Sequence, residues 1–159
     1  MKVLIIGLGS IAQKHIAALK NLKSDVVFYA LRSNKAAGIE EGIINIFEFD
    51  EIGLHDFDFA IISNPTSAHY NTLKSLLATK IPLFVEKPLF SNATALENEL
   101  VNEIMHAEII SYVACNLRYL ESLLFIKDLL LGQRINEVNV YCGSYLPNWR
   151  PYVDFRTVY

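Results

Sequence analysis

The sequence "VLIIGLGSIAQKH", Val3–His15, decides the fold, because an apolar run of strand length stops at a pair of glycines and a helical pattern follows. Gly7, Gly9 and Ala12 form a GxGxxA pattern at that junction. Glycine there permits a tight turn and lets a pyrophosphate approach the backbone. The amides at the start of the predicted helix, Ile11–Leu22, would face the anion, assisted by the helix dipole. The stretch therefore predicts a βαβ unit that binds a dinucleotide.

The glycine pattern indicates a class of ligand and leaves the individual ligand open. Flavin adenine dinucleotide and S-adenosylmethionine suit the same scaffold, and a glycine turn without any ligand is the structural alternative. Dinucleotide binding is favoured because the strand before the glycines, the helix after them and the later βαβ units agree.

Outward from this junction, apolar runs of strand length alternate with segments of helical period. The predicted strands are Lys2–Ile6, Val26–Leu31, Phe57–Ile62, Leu83–Glu86 and Ile109–Ala114, with Ile43–Phe47 as a weaker candidate. The predicted helices are Ile11–Leu22, Ala68–Thr79 and Ala93–His106, with Ser67 and Asn92 at the expected cap positions. This alternation predicts an α/β fold of Rossmann type, a doubly wound parallel sheet with helices on both faces.

The end of the second predicted strand bears on the choice of dinucleotide. A free ribose 2′-hydroxyl usually meets an acid about 20 residues past the glycines, but "YALRSNK", Tyr29–Lys35, offers none, and no acid lies between Asp25 and Glu40. Arg32 and Ser33 instead supply a guanidinium and a hydroxyl that suit a 2′-phosphate. We therefore expect NADP(H) to be preferred, with NAD(H) possible. A solvated surface loop is the alternative interpretation.

The next predicted strand ends in "IISNPTSAHY", Ile61–Tyr70. Asn64 and Pro65 break the strand at its carboxyl end, which is the edge where ligands lie in an open parallel sheet. His69 falls in the first turn of the following helix, where a single histidine is more often structural than catalytic.

An acid, a base and a proline interrupt the apolar run "LFVEKPLF", Leu83–Phe90. Glu86 and Lys87 fall at the carboxyl end of a buried strand, where charges are costly unless they face a cleft or each other. Pro88 ends the ladder, and a cis peptide bond before it is a recurrent device for fixing such a turn. A partly desolvated lysine near a nicotinamide could move a proton to or from a substrate hydroxyl. A surface salt bridge that closes the strand is an equally good interpretation of this motif alone.

Composition limits the other classes of function. The chain has 159 residues, is 52% hydrophobic and 19% charged, and carries a formal net charge of -3. This charge indicates neither a nucleic-acid partner nor an anionic membrane surface. Cys115 and Cys142 form no CxxC pair, so we expect no bound metal and no disulfide framework. The first apolar run is short and is followed by no cleavage pattern, so we expect a soluble, cytoplasmic protein.

Three motifs, "GLGSIAQKH", "SNPTSAHY" and "EKPL", in this order and spacing resemble the Gfo/Idh/MocA family of NAD(P)-dependent oxidoreductases, which act largely on sugars, inositols and their derivatives. The resemblance extends from Met1 to about Arg118. It implies Lys87 as the catalytic lysine, also in contact with the cofactor and the substrate. It also implies cofactor contacts at Gly7, Leu8, Gly9, Ser10, Ile11, Ala12, Ser63, Asn64, Pro65, Thr66 and His69, with Glu86 near the nicotinamide ribose.

The pattern changes after the sixth predicted strand. Leu120–Leu131 predicts an amphipathic helix that ends at Gly132, and Glu137–Tyr145 predicts a strand. We expect a nucleotide-binding domain over residues 1–117 and the beginning of a second α/β domain over residues 118–159. Family members are longer, and nothing after Tyr159 matches their glycine-rich turn or Asp-x-x-x-His motif, so we expect a shortened chain.

The segment after the first domain carries the candidate substrate residues. "CNLRYL" resembles the connection into the family's second domain, where Arg118 approaches the substrate. "YLPNWRPYVDFR" is similar to a string in members associated with bacterial surface-sugar synthesis, including nonulosonic acids, and its candidates are Trp149 and Arg150.

Three hypotheses follow. The first is an oxidoreductase, or its nucleotide-binding portion, that transfers hydride between NADP(H) and a hydroxyl-bearing carbon of a sugar-like molecule, with Lys87 as proton donor or acceptor. The second is a non-catalytic dinucleotide-binding module. The third is an assembly fragment in which the Leu120–Leu131 face pairs with a partner or another copy, and for this reason a homo-oligomer is expected.

Overall fold

The structure is a computed structural model and describes residues 1–33, 38–143, 145 and 154. Its six strands are β1 (Lys2–Ile6), β2 (Val27–Leu31), β3 (Ile43–Ile46), β4 (Phe59–Ile62), β5 (Leu83–Val85) and β6 (Ser111–Val113). They form one parallel sheet in the order β3-β2-β1-β4-β5-β6. This order, in which the chain reverses its direction across the sheet between β3 and β4, confirms the predicted Rossmann-type doubly wound fold.

The helices are α1 (Ser10–Leu22), α2 (Thr66–Leu76), α3 (Ala95–His106) and α4 (Glu121–Leu129), with short 3-10 segments at Phe49–Leu54, Leu77–Thr79 and Asn116–Tyr119. Both predicted caps are wrong. The N-cap of α2 is Pro65, and α3 is capped by Thr94, whose backbone N–H in turn donates to the Glu97 carboxylate. This capping box provides partners for the backbone amides of Thr94 and Glu97, and Asn92 lies too early to reach the first turn.

The core lies on both faces of the sheet because successive strand residues point to opposite sides. Along β1, Leu4 and Ile6 pack into one buried cluster and Val3 and Ile5 into the other. The first cluster includes Leu73 of α2 and Leu100 of α3, and the second includes Ala12 and Ile16 of α1. Strands that are buried on both faces explain the nearly continuous apolar runs of the sequence.

The register of the sheet sets the position of the functional motifs. Ile6 is aligned with Leu31 and Ile62, and Ile62 is aligned with Val85. The residues that follow these aligned positions are Gly7, Arg32, Ser63 and Glu86. Four of the sequence motifs therefore begin at the carboxyl edge of the sheet, on neighbouring strands.

The chain divides into two compact units, Met1–Asn116 and Leu117–Tyr159. In the second unit, α4 is shorter than predicted, and none of its residues is buried. The predicted strand Glu137–Tyr145 is wrong, because residues 137–143 and 145 are exposed and form no strand. A strand is stabilised by hydrogen bonds to a neighbouring strand, and alternating polarity alone does not supply one. No helix in the described part of the chain is long and apolar enough to cross a membrane.

Candidate functional site

The two glycines of the first turn serve different purposes. Gly7 has a φ of +91°, and a Cβ built on it would lie 2.3 Å from the backbone nitrogen of Asn64. No side chain fits there, because the loop after β4 packs directly against the loop after β1. A Cβ on Gly9 would meet nothing within 4 Å. Gly7 is therefore required by the fold, while Gly9 leaves open space beside the helix start.

The first turn of α1 presents backbone amides at this open space. Gly9 is the N-cap residue and has no side chain with which to cap the helix. The intrahelical bond from the Gln13 N–H to the Gly9 carbonyl, at 3.1 Å, leaves the amides of Ser10, Ile11 and Ala12 ahead of it. Free amides at a helix N-terminus favour an anion.

The side chains of this turn differ in exposure. Leu8 and Ile11 are half-buried and Ser10 is exposed, whereas Ala12 is fully buried against the sheet. The third position of the glycine pattern thus supports helix packing, and only its backbone amide is oriented by the helix toward a ligand.

The loop after β4 is held by its own side chains. Ser63 Oγ donates to the Gly7 carbonyl at 2.8 Å, and Asn64 Nδ2 donates to Thr72 Oγ1 at 2.8 Å. The buried Asn64 Oδ1 has no hydrogen-bond partner among the described residues. Pro65 is exposed and Thr66 is half-buried. Because buried carbonyl oxygens normally have partners, Asn64 Oδ1 is available to a ligand donor.

His69 lies beneath this loop. Its side chain is buried, with Nε2 at 3.0 Å from the Asn64 carbonyl oxygen and Nδ1 at 3.0 Å from the Leu89 carbonyl oxygen. The ring nitrogen that carries the proton donates to one of these carbonyls. His69 therefore connects the loop after β4 with the segment after Pro88, which is a structural role of the kind that a single helix-start histidine usually has.

Glu86, at the end of β5, is buried and pairs with a residue of α1. Its Oε1 lies 2.7 Å from His15 Nε2, and its Oε2 accepts the Lys87 backbone N–H at 3.2 Å. The His15 ring also packs edge-on against Phe84, with 5.3 Å between the ring centroids. Sequence reasoning missed His15, although the need of a buried carboxylate for a partner was a signal to look for one.

Lys87 is exposed at the carboxyl end of β5, and its peptide bond to Pro88 is cis. Within the described ranges, its ammonium forms no ion pair and no hydrogen bond. The neighbouring acid pairs with His15 instead. Among the described residues, the structure therefore does not show the salt bridge that was the alternative interpretation of this motif.

Arg32, directly after β2, has a partner that the sequence did not indicate. Its Nη1 lies 3.7 Å from Glu40 Oε1, and the Gln13 amide of α1 donates to Glu40 Oε2. Ser33 is exposed. Glu40, which no motif in the sequence singled out, thus lies beside Arg32 in three dimensions.

The three remaining candidates follow the last strand in the sequence. Arg118 is exposed and belongs to the second unit, and Trp149 and Arg150 lie outside the described residues. In the part of the chain that the structure describes, no cluster of three histidine, cysteine, aspartate or glutamate residues could hold a metal ion.

Comparison with known proteins identifies the class. The model of the GFO_IDH_MocA family, described as an oxidoreductase family with an NAD-binding Rossmann fold, matches residues 1–110. The chain belongs to the Gfo/Idh/MocA oxidoreductase family. A search of curated protein sequences found no significant match.

Solved structures share the Gfo/Idh/MocA fold at low sequence identity. A scyllo-inositol dehydrogenase from Lactobacillus casei, with bound NAD(H) and scyllo-inositol, is 23% identical to this chain with a TM-score of 0.70. The match covers 86% of this chain and 42% of the dehydrogenase chain. The WlbA (WbpB) dehydrogenase from Thermus thermophilus, in complex with NAD and alpha-ketoglutarate, is 21% identical to this chain with a TM-score of 0.68. The match covers 85% of this chain and 48% of the WlbA chain.

An oxidoreductase from Agrobacterium radiobacter, in complex with NAD+, L-tartaric acid and magnesium, is 22% identical with a TM-score of 0.69, covering 86% of this chain and 42% of its own. The chain thus spans less than half the length of these three structures.

The residues of the carboxyl edge fit the dinucleotide named in the Gfo/Idh/MocA family description. Gly9 leaves room that a Cβ would fill, beside amides that favour a pyrophosphate. Asn64 Oδ1 and Arg32 Nη1 are buried polar atoms without hydrogen-bond partners among the described residues. An acceptor and a charged donor of this kind suit the polar groups of a nucleotide.

Proposed function

We propose that this chain is the nucleotide-binding part of an oxidoreductase that transfers hydride between NAD(P)(H) and a hydroxyl-bearing carbon of a sugar or sugar derivative. The observation that carries the proposal is the exposed ammonium of Lys87, which has no partner among the described residues and lies at the sheet edge where Gly7 and Asn64 meet. In this proposal residues 1–117 form the nucleotide-binding domain and residues 118–159 begin a second domain.

Lys87 supplies the proton transfer in this proposal. When bound, the nicotinamide supplies the group that accepts or donates the hydride. In oxidation, Lys87 Nζ would accept the proton of the substrate hydroxyl as the hydride leaves the same carbon, and a carbonyl remains. In reduction, the Lys87 ammonium returns a proton to the oxygen.

Glu86 and His15 would position the lysine. Glu86 accepts the Lys87 backbone N–H through one oxygen and contacts His15 through the other. Because Glu86 is buried and held from two sides, the backbone at Lys87 starts from a defined geometry. Such positioning reduces the entropy lost when substrate and base come together.

The substrate class is supported by what related structures hold. The Lactobacillus casei enzyme was solved with scyllo-inositol and the Agrobacterium radiobacter protein with L-tartaric acid, both of which carry more than one alcohol hydroxyl. We propose a polyhydroxylated substrate for this protein as well, with contacts from Arg118, Trp149 and Arg150, and a cytoplasmic homo-oligomer as the active form.

Arg32 supports a preference for NADP(H). Fluorescence titration with NADPH and NADH, followed by assays on sugars and inositols, tests the whole proposal. Arg32→Ala should weaken NADPH binding by about 1.5–3 kcal/mol, the range for a hydrogen bond to a charged group, and leave NADH nearly unchanged. Equal losses for both cofactors would refute the 2′-phosphate role. Binding without turnover would favour a non-catalytic dinucleotide-binding module.

A further inference from the structure

Glu40 is the acid closest to the predicted 2′-phosphate contact, and no motif indicated it. The residue lies just before β3, yet its Oε1 is 3.7 Å from Arg32 Nη1. Its other oxygen accepts a hydrogen bond from the Gln13 side chain, which projects from α1. The carboxylate is therefore held beside Arg32 from a separate element of the fold.

The Arg32–Glu40 contact is incomplete. A separation of 3.7 Å is a charge contact and is too long for a hydrogen bond. Arg32 Nη1 is buried and has no hydrogen-bond partner within the described ranges, so the guanidinium keeps an unused donor. The Arg32 side chain is 17% exposed and that of Glu40 is 38% exposed. The acid is the more solvated partner and is the easier one to displace.

We propose that Glu40 is a specificity-determining residue that opposes Arg32 at the adenosine end of the cofactor site. Its carboxylate pairs with Arg32 when the ribose 2′ position carries a hydroxyl, and it must give up that pairing when the position carries a phosphate. The inference rests on the proposed function, because it requires that a dinucleotide binds at this edge.

The sign of the effect follows from charge. A 2′-phosphate and the Glu40 carboxylate are both anions and compete for one guanidinium, so Glu40 weakens the binding of NADPH. A 2′-hydroxyl is neutral and can donate to a carboxylate, so Glu40 does not weaken the binding of NADH. The Arg32–Glu40 pair therefore makes the preference for NADPH over NADH smaller than Arg32 alone would make it.

The test measures dissociation constants of NADPH and NADH by fluorescence for the full chain and for Glu40→Gln. The variant removes the charge and keeps the shape. We expect NADPH to bind about tenfold more tightly and NADH to stay within about threefold, because the guanidinium no longer has a second anion as a competing partner. Glu41→Gln is the matched control, because Glu41 is an exposed neighbouring acid, and it should change neither constant.

Smaller probes isolate the adenosine end. In calorimetric titrations, Glu40→Gln should bind adenosine 2′,5′-bisphosphate about tenfold more tightly than the unmodified chain does. Its affinity for AMP should stay the same. In the double variant Arg32→Ala with Glu40→Gln, the gain should disappear, because no guanidinium remains to be released. If Glu40→Gln is unstable, Glu40→Ala replaces it, and thermal unfolding checks that this variant is folded. Glu40→Ala should show the same increase in affinity for NADPH and for the bisphosphate.

An unchanged ratio of NADPH to NADH affinity in both Glu40 variants would overturn this inference and leave the proposed function intact. The same follows if Glu41→Gln shifts the ratio as much as Glu40→Gln does. Failure of the unmodified chain to bind either dinucleotide would overturn the proposed function, and this inference with it.

Discussion

His15 Nε2 lies 2.7 Å from Glu86 Oε1, so the first helix is joined directly to the strand end that carries Lys87. Both side chains are mostly buried, at 22% and 12% exposure, which shields the contact from solvent. A hydrogen bond to a charged group in such surroundings is worth more than one on the surface.

This pair should show measurable coupling. We expect His15→Ala and Glu86→Gln to lower the free energy of unfolding, with a coupling energy of about 1–2 kcal/mol between them in a double-mutant cycle. Urea unfolding of the four proteins measures it. Strictly additive losses would mean that the two residues act separately.

The two glycines should respond differently to a methyl group. Gly7→Ala should cost more than about 3 kcal/mol of stability, because its Cβ would overlap the Asn64 backbone and φ is +91°. Gly9→Ala should change stability by less than about 1 kcal/mol, because its Cβ meets no atom and φ is -96°.

The Gly9 variant should nonetheless weaken NADH and NADPH binding, since the methyl group occupies the space beside the helix start. Thermal unfolding and fluorescence titration separate the two effects. A Gly7→Ala protein as stable as the original would contradict the close contact between the two loops.

Lys87→Met should separate binding from catalysis. In a catalytically active preparation, we expect turnover to fall by about 10²–10⁴-fold, the usual contribution of a general acid or base, with fold and cofactor affinity retained. Lys80→Met is the matched control, because Lys80 precedes β5 and lies at the opposite edge of the sheet. Similar losses of turnover in both variants would remove Lys87 from the proton-transfer role.

The cap of α3 provides a test by titration. Hydrogen bonds from the Thr94 side chain, and then from its backbone, lower the pKa of Glu97 below its ordinary value. The stability that this cap contributes should therefore be present above the ordinary glutamate pKa and be lost as the pH falls through the lowered one. In Thr94→Val, NMR titration should show the Glu97 pKa moving upward. No movement would mean that the side-chain bond is not formed in solution.

The second unit should promote self-association. Phe125 and Leu129 of α4 are exposed apolar side chains, and we expect the mass measured by light scattering to rise with concentration. Glutamate at both positions should suppress the rise. Leu22→Glu, at an exposed apolar residue of α1, should not. A monomer at all concentrations would refute the prediction.

The strands and the glycine turn could be predicted because their signals are local. Lys2–Ile6 forms the strand that its apolar run indicated, and the alternation of strands and helices led to the observed sheet. The strand predicted for Glu137–Tyr145 did not form, because its described residues have no neighbouring strand to pair with. The cap predicted at Asn92 was wrong because Thr94 forms a capping box with Glu97.

The pairs that shape the site could not be predicted in the same way. Glu86 and His15, like Arg32 and Glu40, come together only through the order and register of the strands. Sequence spacing carries no record of that proximity, and no motif singles out His15 or Glu40 as a partner. The roles of these residues in binding stay predictions until the titrations above are done.

The position of β1 in the sheet has a consequence for synthesis on the ribosome. Val3 pairs with Phe28 on one side and with Phe59 on the other. A nascent chain that has emerged only as far as Ile46 can assemble β1, β2 and β3, but one edge of β1 stays open until β4 follows. Gly7 also cannot reach its native packing until Asn64 has been translated, because it packs against the Asn64 backbone. The glycine turn is therefore translated early but reaches its native packing late. Until β4 pairs with β1, one edge of β1 has free hydrogen-bonding groups, and chaperones can shield such an edge from aggregation.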